Sequence, residues 1–177
     1  MEEKLKIFAS TDDLTDIFNR RTGLALLEKY INETKINNNR VTIFFIDIDN
    51  LKAVNDTYGH KEGDELIITT VGLIKRGLRK SDILCRFGGD EFLMILPDCE
   101  VEEAERVWQR INKELDAFNA RRVKPYIVGL SHGCAQYDPS GELSVDKLVA
   151  VADQEMYKEK VQNKLKIKAG GAIGEIL

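Results

Sequence analysis

Val41-Thr42-Ile43-Phe44-Phe45-Ile46-Asp47-Ile48-Asp49 is a nearly continuous apolar run, rich in β-branched and aromatic side chains. A run of that make-up reads as a central, buried strand, and a buried strand commits the chain to a sheet with other elements packed on it. Asp47 and Asp49 close the run, and strand alternation turns both side chains to one face. Carboxylates at the exit of a buried strand are costly unless paired or metal-bound. Asp49 also suits a helix N-cap, a role less fitting for Asp47.

The next constraint is Gly88-Gly89-Asp90-Glu91-Phe92, set between Ile83-Leu84-Cys85-Arg86-Phe87 and Leu93-Met94-Ile95-Leu96. Two β-prone runs joined across Gly-Gly read as a hairpin whose glycines adopt the positive φ of a tight turn. A Gly-Gly tip leaves room for a bulky anion, and the two acids beside it suit the divalent metal that such an anion brings. The combination points to nucleotide chemistry.

Elsewhere the apolar spacing is mostly helical. Thr11-Asp12-Asp13-Leu14-Thr15 offers capping oxygens ahead of a helix near Thr22 to Ile36, which closes at Asn37-Asn38-Asn39. A short helix is expected from Asn50 to about Tyr58. After Gly59 another runs to about Leu78, with Leu66, Ile67, Val71, Ile74 and Leu78 as its core stripe. Val101, Ala104, Val107, Trp108, Ile111, Leu115 and Phe118 share one face of a helix from Val101 to Phe118. Tyr126 to Tyr137 reads as a strand and Val145 to about Gln162 as the last helix.

Residues 1–10 read as a helical lead-in, a connector or a frayed terminus, residues 11–168 as one domain, and residues 169–177 as a Gly-rich tail. The order strand, helices, hairpin, helix, strand, helix specifies an α+β fold. Its mostly antiparallel sheet is covered by helices in a ferredoxin-like or palm-type arrangement, with the hairpin carrying the Gly-Gly-Asp-Glu-Phe run. Palm-type domains commonly bring acids of the first strand and a neighbouring hairpin to a shared metal site. Here that would join Asp47 to Asp90 and Glu91.

Composition narrows the classes. A length of 177 residues suits one domain. The net charge of −4, with acids and bases interspersed, argues against a surface that coats a nucleic acid polymer. An acidic chain that binds a polyphosphate needs metal ions to bridge the repulsion. Cys85, Cys99 and Cys134 are odd in number and widely spaced, so reduced cysteines are expected rather than disulfides or a zinc site. No apolar run is long enough to insert in a membrane and no signal-peptide stretch opens the chain, so a cytoplasmic domain, or the cytoplasmic piece of something larger, is expected.

The chain resembles the GGDEF domain family of diguanylate cyclases, which join two GTP molecules into cyclic di-GMP. Besides Arg86 and the run Gly88 to Phe92, it carries Asp13-Leu14-Thr15, Asn19-Arg20-Arg21 and Asp47-Ile48-Asp49-Asn50-Leu51-Lys52-Ala53-Val54-Asn55-Asp56, followed by Gly59-His60 and Gly63-Asp64. The match spans roughly residues 11–165.

The resemblance implies Mg²⁺ (or Mn²⁺) held by Asp47, Asp90, Glu91 and the Ile48 carbonyl, with Asp90 as the base for the attacking 3′-hydroxyl. It implies that Asn55 and Asp64 read the guanine edge, that Lys52, Lys160 and Lys164 lie near the triphosphate, and that Gly88 and Gly89 admit the phosphates. Arg79 and Asp82, with Arg110 from the Trp108 helix, resemble the family's inhibitory product site. The resemblance further implies a homodimer, because each domain holds one GTP, and an upstream sensor that controls the pairing.

Leu51 replaces a usual Phe, Glu159 a usual Ala, and Asn163-Lys164 a usual Gly-Arg, while His132 stands at an apolar position and reads as packed or exposed. A non-catalytic cyclic di-GMP receptor using Arg79 and Asp82, and a related synthase using ATP, are the alternative readings.

Overall fold

A computed structural model describes the backbone of residues 10–174 and the side chains of residues 10–165. The apolar run forms strand β2, Val41–Ile48, buried at every position. It lies between β4 (Glu91–Pro97) and β5 (Leu130–Tyr137), antiparallel to both. Strand β3 (Ile83–Arg86) pairs antiparallel with β4, and the two-residue β1 (Phe18–Asn19) pairs parallel with β3. The sheet order is β1-β3-β4-β2-β5. Without β1 this is the ferredoxin-like order expected from the sequence, and the sheet is mixed only through that short edge strand.

Among the described residues five helices cover the sheet: α1 (Arg20–Asn37), α2 (Leu51–Tyr58), α3 (His60–Gly77), α4 (Val101–Ala120) and α5 (Val145–Gly174). Period-two alternation divides the core. Phe44, Ile46, Phe92 and Met94 pack against Leu66, Ile74, Trp108 and Ile111 of α3 and α4. On the opposite face Ile43, Phe45, Leu93 and Ile95 meet Leu27 and Ile31 of α1 and Leu148, Ala152 and Met156 of α5. Asp47 continues the second series, so its side chain emerges beneath α5.

Local chemistry sets the boundaries. Asn19 caps α1 by accepting from the Thr22 N–H at 3.0 Å, and Asn38 ends it in the left-handed region at φ 54°. Gly59, at φ 91°, separates α2 from α3. Gly133 lets α5 close on β5: a Cβ there would stand 2.0 Å from the Ala152 carbonyl oxygen.

Several expectations are corrected. Strand β5 begins at Leu130 rather than Tyr126, because both backbone polar groups of Val128 bond to the Asn119 side chain at 2.9 Å instead of to a strand. Helix α5 continues past Gln162 to Gly174, through much of the supposed tail; Asn163 to Ala169 contains no proline or glycine to stop it. Asp12 caps no helix; it accepts from the Thr15 N–H and hydroxyl in a tight turn ahead of β1. The lead-in over residues 1–9 and the end of the tail, 175–177, lie outside the described residues.

Candidate active site

Strand pairing brings the acids together. Asp47 and Glu91 face each other in the β2–β4 register, and the Ile48 N–H donates to the Asp90 carbonyl at 2.9 Å. The C-terminal end of β2 therefore abuts the turn of the β3–β4 hairpin. That turn is pinned by Arg86, whose guanidinium donates to the carbonyls of Gly88 (3.1 Å) and Gly89 (2.8 Å) and to Asp12 (3.0 Å).

Neither Gly88 nor Gly89 takes the positive φ expected of a tight turn, since Gly59 is the positive-φ glycine of the described residues. The loop is wider than a two-residue turn, with the N–H groups of Phe87 and Gly88 both donating to the Glu91 carbonyl. The glycines matter for space. A Cβ on Gly88 would lie 2.6 Å from Glu91 Oε2, and around Gly89 nothing stands within 4 Å of that position.

Asp47 is 3% exposed, and Lys160 of α5 donates to its Oδ1 at 2.7 Å. Burial pushes the Asp47 carboxyl up to about 6; the Lys160 hydrogen bond opposes the shift, while the charges of Asp90 and Asp49 reinforce it. Burial works against the Lys160 ammonium, but the Asp47 hydrogen bond and the surrounding carboxylates overcome it and raise its pKa. Asp49 is raised by burial against the Ser131 hydroxyl, which donates to it at 2.7 Å. Glu91 is raised by burial and by the charge of Asp90.

Beside these acids a cavity of about 350 Å³ is lined by Ile48, Asn50, Leu51, Lys52, Ala53, Asp56, Asp90, Lys160 and Lys164. Asn50, at φ 62°, turns the chain into α2 and supplies no side-chain cap. With no cap from the Asn50 side chain, the start of α2 and the three lysines around it suit an anion.

Asn55 and Asp64 lie next door, where α2 meets α3. Gly63 lets the Asn55 side chain lie against the first turn of α3, beside Asp64 in sequence: a Cβ on it would fall 1.8 Å from Asn55 Oδ1.

The donors fit a metal that arrives with phosphates. Among the described residues no cluster of three or more His, Cys, Asp or Glu side chains forms a metal cage. Mg²⁺ usually takes only one or two carboxylates and completes its shell with water and substrate phosphate. Asp47 and Asp90, hard oxygen donors close enough for the Asp90 charge to raise the Asp47 carboxyl, match that demand.

Arg79 and Asp82 lie apart from this site. They line a separate cavity of about 420 Å³ with Phe18, Lys75, Lys80 and Leu84. The Arg79 N–H donates to Asp82 at 2.7 Å, and its guanidinium pairs with Glu103 of α4. Burial raises the Asp82 carboxyl, opposed by Arg79 and Arg110. Arg110 does not line the cavity; it donates to the Gly77 carbonyl at 2.8 and 3.3 Å, at the end of α3.

Four further residues reach these sites; Ser131 and Glu103 carried no sequence signal, and Glu159 and Asn163 stood out only as departures from the family pattern. Ser131 reaches Asp49, Asn163 reaches Ser131 at 3.3 Å, Glu159 reaches His132, and Glu103 reaches Arg79. His132 is packed, its ring stacked on Trp108 at 4.0 Å between centroids.

Paired acids, a lysine-rimmed cavity and an uncapped helix start define a domain suited to a phosphorylated ligand. The model of the family described as diguanylate cyclase, GGDEF domain, matches residues 9–166, and the chain belongs to that family.

Probable diguanylate cyclase DgcC of Escherichia coli (strain K12) is 31% identical over 159 residues, covering 90% of this chain and 43% of DgcC. The chain spans less than half the length of the curated relatives it matches. Among solved structures, the coiled coil and GGDEF domain of DgcB from Caulobacter crescentus, in complex with c-di-GMP, superposes with a TM-score of 0.83 at 26% identity, covering 91% of this chain and 85% of that one. Diguanylate cyclase SiaD of Pseudomonas aeruginosa, in complex with its activator SiaC, gives 0.80 at 26% identity, covering 91% and 62%.

Proposed function

We propose that this chain is a diguanylate cyclase domain that condenses two GTP molecules into cyclic di-GMP. The observation that carries the reading is the convergence of Asp47, Asp90 and Lys160 at the mouth of a cavity lined by the start of α2 and by Lys52 and Lys164. The lysines and the first N–H groups of α2 take the triphosphate. Asn55 and Asp64 take the guanine edge, the carboxylate accepting from N1–H and the exocyclic amine, a pattern adenine does not offer.

Asp47, Asp90, Glu91 and the Ile48 carbonyl would hold Mg²⁺, which when bound would offset charge on the phosphates and ease ionisation of the 3′-hydroxyl. Asp90 accepts the proton of that hydroxyl. Each attack of a 3′-oxygen on an α-phosphorus forms one phosphodiester and releases one pyrophosphate, and the second attack closes the ring.

One domain offers one such cavity, so two copies must face each other, and their encounter controls the rate. An upstream sensor would impose that encounter. The DgcB complex with c-di-GMP supports a product-binding role for the domain, which we assign to Arg79 and Asp82, with Arg110 bracing the end of α3 beside them. A domain consuming GTP works in the cytoplasm, and no described helix is long and apolar enough to cross a membrane.

The larger cavity at Arg79 also fits a non-catalytic cyclic di-GMP receptor. Incubation with GTP and Mg²⁺, followed by nucleotide chromatography, separates the readings. Cyclic di-GMP from the parent and none from Asp90→Asn supports the cyclase. Binding of cyclic di-GMP without synthesis supports the receptor.

A further inference from the structure

One turn of α5 reaches the ends of two strands. Glu159 accepts from the backbone N–H of His132 and bonds its ring Nδ1 at 2.8 Å. The next residue, Lys160, reaches Asp47 at 2.7 Å. Asn163, one turn on, donates to Ser131, which holds Asp49. Positions one, three and four residues apart on a helix have fixed relative directions, so a single rotation of this turn moves all of these side chains at once.

Apolar packing fixes that rotation only as far as Met156, one turn before Lys160. Met156 is the last buried residue of α5 among those whose side chains are described, and beyond it Tyr157 and Leu165 are 65% and 61% exposed. The polar contacts of Glu159 and Asn163 therefore hold the turn that carries Lys160. Glu159 grips the firmer anchor, because the His132 ring is stacked on buried Trp108 and its backbone belongs to β5. A lysine stem is long and flexible, and its ammonium stays on one partner only if the backbone beneath it is fixed.

We infer that Glu159, anchored on His132, is the positioning residue that keeps Lys160 on Asp47 at the mouth of the cavity. The inference rests on the proposed role of Lys160 at the triphosphate, and the test separates the two.

The test is a double-mutant cycle in urea unfolding, with EDTA present and no nucleotide. Coupling between Asp47→Asn and Lys160→Met is measured in the parent, in E159A and in E159Q. Glutamine still accepts the His132 N–H, so coupling is expected in the parent and in E159Q and is expected to be lost in E159A. A residue that only stabilises α5 would lower stability in E159A and leave the coupling intact, which overturns the inference.

GTP turnover gives the second readout. In E159A kcat is expected to fall roughly tenfold with KM little changed, and E159Q is expected to restore it. Unchanged kcat in E159A also overturns the inference. A parent that makes no cyclic di-GMP defeats the cyclase reading alone, since the unfolding cycle still reports on Glu159.

Discussion

Replacing Asp47 by asparagine removes one buried charge and keeps the side-chain volume and an oxygen for Lys160 to donate to. In the folded chain burial raises the Asp47 carboxyl from 3.8 to about 6. The folded state thus binds this proton more tightly than the unfolded chain. The group's contribution to stability is greatest below pH 3.8 and is lost as pH rises through about 6. At about 1.36 kcal/mol per pH unit the ionised carboxylate costs about 3 kcal/mol at neutral pH.

That cost is already net of the Lys160 attraction; burying the asparagine amide beside the ammonium offsets part of it, leaving a net gain of roughly 1–2 kcal/mol for Asp47→Asn. For a chain of this size the gain corresponds to roughly 2–8 °C in Tm. Thermal unfolding of parent and variant in EDTA at pH 8 and pH 4 measures it. The gain should be present at pH 8 and gone at pH 4, while synthesis of cyclic di-GMP is abolished. A variant less stable than the parent at pH 8, or equally stabilised at both values, would refute the assignment of Asp47 as a strained functional carboxylate.

Arg79→Ala should weaken cyclic di-GMP binding at least tenfold by calorimetry, the loss expected when a charged hydrogen-bonding partner is removed. Glu103→Gln, which frees the same guanidinium from its ion pair, should tighten binding by roughly two- to fivefold; equal affinity in all three proteins would remove product binding from this cavity. Gly63→Ala forces Asn55 off α3 and should raise KM for GTP with kcat nearly unchanged, whereas unchanged KM would disconnect Asn55 from the base. Asn119→Ala strips both bonds from Val128 and should cost roughly 1–3 kcal/mol in urea unfolding without altering turnover per folded molecule; a smaller loss would mean that water replaces the amide.

What could be read from residues was what local chemistry dictates. Val41 to Ile48 has no polar alternation, so its place at the centre of the sheet was legible, and the Gly-Gly link announced the hairpin beside it. Strand β1 was not legible: it has two residues, held by the parallel edge of β3 on one side and by a bridge to Thr11 on the other. The start of β5 was misjudged because Asn119, across a loop, satisfies Val128 in place of a strand partner.

Family motifs located Lys52, Asp90, Lys160 and Lys164, which the fold gathers at one cavity. Glu159 and Asn163 meet His132 and Ser131 only because Gly133 lets α5 lie against β5. That convergence depends on the packed fold, with nothing in the local pattern to mark it.

The most direct test of the cyclase reading is specific activity with GTP and Mg²⁺ across protein concentration, reading cyclic di-GMP and pyrophosphate together. The expected result is two pyrophosphates per cyclic di-GMP, with activity per domain rising steeply as domains begin to pair. No cyclic di-GMP at any concentration, or activity per domain independent of concentration in a protein shown to remain monomeric, would contradict it.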